Sequence, residues 1–268
     1  GIANTGAKVI VIGRNTERGD VARQQIIETT QNPDIEFVVG DLSSKSNIDA
    51  LISSMLNTVD KIDVLINNAG YLGSELTQNE DGFEMHFAVN VLAPYRFTKG
   101  LLPALMSSDN PRVLNITGGD KPDRIDIDNL QAEKGFKGLM TYTHSKSIME
   151  SMSIALAKEL EPEGISVNIL FPGRASTSMT RSLTAQSLPG LMKLMLPFFT
   201  IYFSDDGGKS ASKAATSTIW AATTPDLEGV NGKYFDTNMK EQRLHPTAYE
   251  ADVQGAIMDV IREIQSPV

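Results

Sequence analysis

The sequence predicts an α/β protein, a doubly wound parallel sheet with helices on both faces. Short β-branched runs alternate with longer helical patterns along the chain. Val9–Ile12 and Val64–Ile66 are apolar at consecutive positions, as parallel strands covered on both sides must be. Small, polar or helix-starting residues then follow one strand after another. The predicted strands are 7–13, 35–39, 62–66, 112–116, 165–170 and 233–235; the predicted helices are 16–30, 45–59, 81–106, 140–160, 209–223 and 247–264. No repeat, low-complexity tract or linker divides them, so residues 1–268 are expected to form a single domain.

Composition narrows the function classes. The 268 residues are 41% hydrophobic and 21% charged, ordinary values for a folded globule. A chain of this size buries roughly three quarters of its unfolded surface and needs no staple. Its net charge of −9, from 24 basic and 33 acidic residues, repels a phosphate backbone and argues against nucleic-acid binding. The absence of cysteine excludes disulfides, thiolate zinc sites and a thiol nucleophile. His86, His144 and His245 have no metal-ligand spacing, and no metal is expected. The most apolar run, 188–203, is interrupted by Pro189, Gly190, Lys193 and Pro197 and falls short of the roughly 18–20 residues of a membrane span. With no signal-peptide pattern either, the expected location is cytoplasmic, without a specific indication of membrane association.

In doubly wound sheets a ligand lies beyond the carboxyl ends of the strands. Those ends read Gly13-Arg14-Asn15, Gly40-Asp41-Leu42, Asn67-Asn68-Ala69-Gly70, Thr117-Gly118-Gly119 and Pro172-Gly173. Four landmarks then stand in order: Asn67-Asn68-Ala69-Gly70, Asn90, Tyr142-Thr-His-Ser-Lys146, and Pro172-Gly173 with Thr177. In that order they resemble the short-chain dehydrogenase/reductase family, a Rossmann-like fold. The stretch Glu80–Asn90 is most similar to the retinol-dehydrogenase-related subgroup. A second Tyr-x-x-x-Lys, Tyr95 to Lys99, lies inside a predicted helix just after Asn90, out of the family's order.

Tyr142 and Lys146 are four apart and share a helical face. A free phenol ionises near pH 10, and a neighbouring ammonium favours the phenolate, so the pair is expected to have a lowered phenol pKa. It could then serve as general acid in carbonyl reduction or as base in alcohol oxidation. The hydride must come from a cofactor, because no side chain supplies one. The resemblance implies that Lys146 holds the nicotinamide ribose and that Asn90 anchors a relay water. It also implies that Asp41 and Leu42 touch adenine, that Asn68, Ala69 and Gly70 wall the ribose side, and that Pro172, Gly173 and Thr177 flank the carboxamide. Arg14 ends the first strand, where an NAD enzyme carries an acidic residue; its planar fork suits a 2′-phosphate, so NADP is the expected cofactor. The family's substrate-orienting serine is replaced by glycine in Asn115-Ile-Thr117-Gly118-Gly119. Thr117 either substitutes for it from one position earlier or serves only the strand.

The family begins with a strand and a Thr-Gly-x-x-x-Gly-Ile-Gly loop whose backbone cradles the pyrophosphate. Only Gly1–Thr5 precede the second strand here. The first strand and phosphate loop are expected to be missing from the sequence, with Gly1-Ile2 a remnant of the motif and the neighbouring strands left unpaired. The activity implied is NADP(H)-dependent interconversion of a small hydrophobic carbonyl and its alcohol. By resemblance residues 177–208 would cover the substrate, and the run 188–203 within them is rich in Leu, Met and Phe; a core-packing or membrane-surface helix is the other reading of that run. A catalytically weak cofactor-sensing or scaffold protein is the alternative, and a lyase or isomerase on the same fold is a third. By resemblance the chain assembles as a homodimer or homotetramer through helix 140–160.

Overall fold

The computed structural model describes residues 1–118, 124–173 and 211–265. Thr177, Gly119 and the expected covering segment 177–208 lie outside the described residues.

After a 3-10 turn at Ile2–Thr5 come β1 (Val9–Gly13), α1 (Thr16–Thr30), β2 (Ile35–Val39), α2 (Lys45–Leu56) and β3 (Val64–Asn67). Local chemistry starts the helices: the side chains of Asn15 and Ser44 accept the backbone N–H groups of Arg18 and Asn47, satisfying donors that a first turn leaves open. The helix expected over 81–106 is in fact broken into α3 (Met85–Phe87), a π-helical turn (Ala88–Leu92), α4 (Ala93–Gly100) and α5 (Leu102–Met106). Pro94 and Pro103 stand in the first turns of α4 and α5, where a residue without an N–H costs no hydrogen bond. There follow β4 (Arg112–Ile116), α6 (Gly138–Leu160), β5 (Ser166–Leu170), α7 (Ala211–Ala214), α8 (Thr216–Thr223), β6 (Tyr234–Phe235), β7 (Glu241–Gln242) and α9 (Ala251–Gln265). The predicted helix over 247–264 therefore splits into a 3-10 turn, Pro246–Tyr249, and α9.

The strands form two sheets. β1 and β2 pair in parallel as a two-stranded ribbon, and β3-β4-β5-β6-β7 form a five-stranded sheet. All pairs are parallel except β6 with β7, an antiparallel edge that the sequence reading did not foresee. β1 and β3 are not paired with each other. Both faces of the larger sheet are covered, as a doubly wound fold requires. Val113, Val167 and Ile169 face the main core with Phe87, Met149, Met152 and Leu156. Leu114, Ile116, Leu170 and Phe235 face a second cluster with Ala221 and Leu227. No helix among the described residues is long and apolar enough to cross a membrane.

Candidate active site

The carboxyl ends of β3 and β4 meet one face of α6. Tyr142, Lys146 and Glu150 succeed one another at four-residue intervals along that helix, and they are only 6%, 5% and 2% exposed. Opposite them stand three consecutive residues of the β4 end. Lys146 Nζ donates to the carbonyl of Ile116 at 3.0 Å. The Thr117 hydroxyl donates to Glu150 Oε1. At Gly118 a Cβ would lie 1.9 Å from Tyr142 Oη, so the glycine is what admits the phenol to the strand end.

Asn90 sits in the π turn and joins three elements. Its Oδ1 accepts the N–H of Tyr71 at 2.8 Å, and its Nδ2 donates to the Tyr71 carbonyl at 3.0 Å and to Ser145 Oγ at 2.9 Å. Ser145 Oγ in turn donates to the Tyr142 carbonyl at 2.7 Å. The side chain of Asn90 is thus engaged within the protein, and it fixes the loop after β3 against the first turns of α6. Behind it, Asn67 Nδ2 donates to Asn115 Oδ1 at 2.8 Å, and Asn115 Nδ2 donates to Ser153 Oγ at 2.7 Å, a polar ladder from β3 through β4 to α6.

The electrostatics correct the expected lowering of the Tyr142 pKa. Burial, reinforced by the Glu150 carboxylate, pushes the phenol up to about 12. Lys146 does not counter this, because its ammonium is turned onto the Ile116 carbonyl. Burial brings Lys146 itself down to about 8, with Glu150 opposing the fall. The pair therefore stands mostly protonated at neutral pH. Thr117 is 2% exposed, and its hydroxyl is turned to Glu150 of α6.

His86 is fully buried beside the pair, its Nδ1 2.6 Å from Glu84 Oε1 and its Nε2 accepting the Gly73 N–H at 3.0 Å. Its ring makes edge contacts with Tyr71 and Tyr142 at centroid distances of 5.0 and 6.5 Å. His144 accepts the Asp126 N–H, and His245 contacts Thr247, so all three histidines have protein partners.

The remaining predicted residues line the same side of the strands. Asn68, Ala69 and Gly70 are exposed after β3, and a Cβ on Gly70 would lie 3.5 Å from Asn90 Oδ1 and 3.6 Å from Lys146 Nζ. A side chain at position 70 would thus stand in contact with the Lys146 ammonium, and the glycine leaves that space open. Pro172 and the left-handed Gly173 (φ 85°) follow β5. Asp41 accepts the Ser43 N–H at 3.0 Å after β2, with Leu42 packed on the main core. Arg14 is exposed after β1, beyond the two-stranded ribbon. Glu150, Ser145 and His86 escaped the sequence reading as site residues; only Glu150 carried a usable signal, its four-residue spacing from Lys146.

A family model described as short chain dehydrogenase matches residues 1–188. The chain belongs to the short-chain dehydrogenases. That family's oxidoreductases work between CH–OH and C=O groups, and within it the chain falls in the retinol-dehydrogenase-like subgroup. Retinol dehydrogenase 14 of Mus musculus is 31% identical over 266 residues, covering 95% of this chain and 77% of that one. Polyprenol dehydrogenase of Homo sapiens is 29% identical, covering 92% of this chain and 74% of that one. Among solved structures, an uncharacterized protein from Mycobacterium Paratuberculosis superposes with a TM-score of 0.69 at 20% identity, over 98% of this chain and 88% of that one. A short chain dehydrogenase from Escherichia coli CFT073 complexed with NADPH has a TM-score of 0.62 at 23% identity, over 88% and 92%. At those identities the structural likeness is one of fold.

Proposed function

We propose that this short-chain dehydrogenase uses NADP(H) to interconvert a small hydrophobic carbonyl compound and its alcohol, with Tyr142 as general acid/base. The observation that carries this reading is the meeting of Tyr142, Lys146 and the Asn90-braced loop at adjoining strand ends. In carbonyl reduction the Tyr142 hydroxyl gives its proton to the substrate oxygen; in alcohol oxidation the phenolate takes it back. Lys146 lies close to Gly70, where its ammonium would hold the nicotinamide ribose, with Asn68 and Ala69 as the adjoining wall. Asp41 and Leu42 would meet adenine, and Pro172, Gly173 and Thr177 would flank the carboxamide. The bound nicotinamide supplies or accepts the hydride. Arg14 is left in water, free to pair with a 2′-phosphate, and that preference for NADP underlies the choice of cofactor. NADPH is also the nucleotide in the Escherichia coli neighbour. The relatives named for retinol and polyprenol support an apolar substrate. We further read the protein as a cytoplasmic homodimer or homotetramer.

Titrating the purified protein with NADPH beside NADH, followed by turnover of apolar aldehydes and ketones, tests this. Tighter NADPH binding and a turnover lost in Tyr142→Phe are expected; an undiminished Tyr142→Phe variant overturns the assignment. The glycine at 118, where the family carries its serine, favours one second reading, a cofactor-sensing or scaffold protein. NADPH binding without turnover across the carbonyl panel would select it.

A further inference from the structure

We propose that Glu150 is a positioning residue that holds the Tyr142–Lys146 pair in its proton-donating form, so that the site is set for carbonyl reduction. This rests on the reading of Tyr142 and Lys146 as the reacting pair. The geometry is that of a charge built in beneath them. Glu150 is 2% exposed, lies one turn beyond Lys146 and two beyond Tyr142 on the same face of α6, and receives the hydroxyl proton of Thr117. A carboxylate that deep persists only with donors and a counter-charge, and Thr117 and Lys146 are placed to supply them.

Its effect on the neighbours has one sign. A negative charge favours the protonated form of every group near it. Glu150 raises Tyr142, Lys146 and, from β6, Tyr234. On the phenol it adds to the effect of burial; on the lysine it works against burial. Without it burial would bring Lys146 lower still, weakening its hold on the proton. With it, phenol and ammonium both keep their protons at pH 7. His86 of α3, a further titratable neighbour of the pair among the described residues, has its Nδ1 on Glu84 and its Nε2 accepting the Gly73 N–H. Thr117 is thereby explained as well: its hydroxyl serves the carboxylate, while Gly118 leaves the phenol room beside the strand.

Glu150→Gln keeps the size and an oxygen for Thr117 while removing the charge. Two readouts follow on the full chain. One is the pH midpoint of turnover with NADPH and an apolar aldehyde. The other, on ligand-free protein, is the alkaline tyrosinate absorbance step that Tyr142→Phe abolishes in the same background. Both are expected to move acidward by about one pH unit in Glu150→Gln; Glu150→Asp, which retains the charge, should return them close to the parent. Should the amide prevent folding, Glu150→Met removes the charge with an apolar side chain of similar length, and the same acidward move is expected. Midpoints unmoved in a folded charge-free variant overturn the proposal and leave Glu150 a packing residue. Full turnover in Tyr142→Phe would instead overturn the catalytic assignment, and the absorbance step would still decide the role of Glu150.

Discussion

The two sheets of this protein treat their side chains differently. In the five-stranded sheet every residue of β4 and β5 is buried, and polar side chains at the strand ends are tied to one another across three elements. In the ribbon, β1 is half-buried along its whole length, and its charged neighbours stay in water: Lys8 pairs with Glu36 at 2.8 Å with both side chains over 40% exposed, and Arg14 is exposed. Such surface pairs contribute little to stability. The difference follows from what each half is proposed to meet. A proton-transfer pair must be dry and fixed, whereas a residue that selects a phosphate works best where its own desolvation costs little.

Substitutions in the two halves should therefore have unequal effects. The largest belongs to Tyr142→Phe, which should lower turnover about 10²- to 10⁴-fold in steady-state assays while leaving NADPH binding nearly intact. Next, Leu114→Ala in β4 should cost about 2–5 kcal/mol in urea melts. Ile12→Ala in β1, half-buried, should cost less than half of that; equal losses would erase the contrast. Lys146 tests the burial through pH. Its folded value of about 8 lies below its ordinary 10.5, so the unfolded chain binds more protons between those limits, and stability should climb as pH rises through that window. The full penalty, on the order of 3 kcal/mol, applies below about pH 8. Urea melts at pH 7 and 9.5 should show the climb in the parent and a flatter profile in Lys146→Met. The smallest effect is expected of Arg14→Ala: NADPH affinity reduced roughly tenfold, at the low end for a charged hydrogen bond, with NADH unaffected.

The strands and most helices were legible because burial on both faces leaves an unbroken apolar spelling, as in Val113–Leu114; the same spelling at Val9–Ile12 marked β1, although that strand is only half-buried. What was missed had weaker local signals. β7 is two exposed polar residues, Glu241 and Gln242, held by pairing with β6 and by side-chain bonds to Lys233 and Asp236. The run 81–106 reads as one helix by periodicity, although Pro94 and Pro103 already announced fresh first turns. At the site, the Tyr142–Lys146 spacing was readable, but the direction of the Lys146 ammonium was not, since it depends on the Ile116 carbonyl thirty residues away. Thr117 was half legible. It has the parity of Val113 and Asn115, which face α6, so strand alternation already aimed it at the helix that carries Glu150.

The π turn at Ala88–Leu92 carries a further consequence. Closing i to i+5 instead of i to i+4 takes up one extra residue, and each residue of a helix accounts for about 100° of rotation. Deleting Val89 would let the segment relax into an uninterrupted α-helix and swing His86 and Phe87 by about that angle relative to Pro94 and Phe97. The imidazole would leave its place between Tyr71 and Tyr142, and Asn90 would no longer face Ser145. Insertions and deletions here are thus forbidden where exchanges of one apolar residue for another are not: the segment encodes an angle by counting.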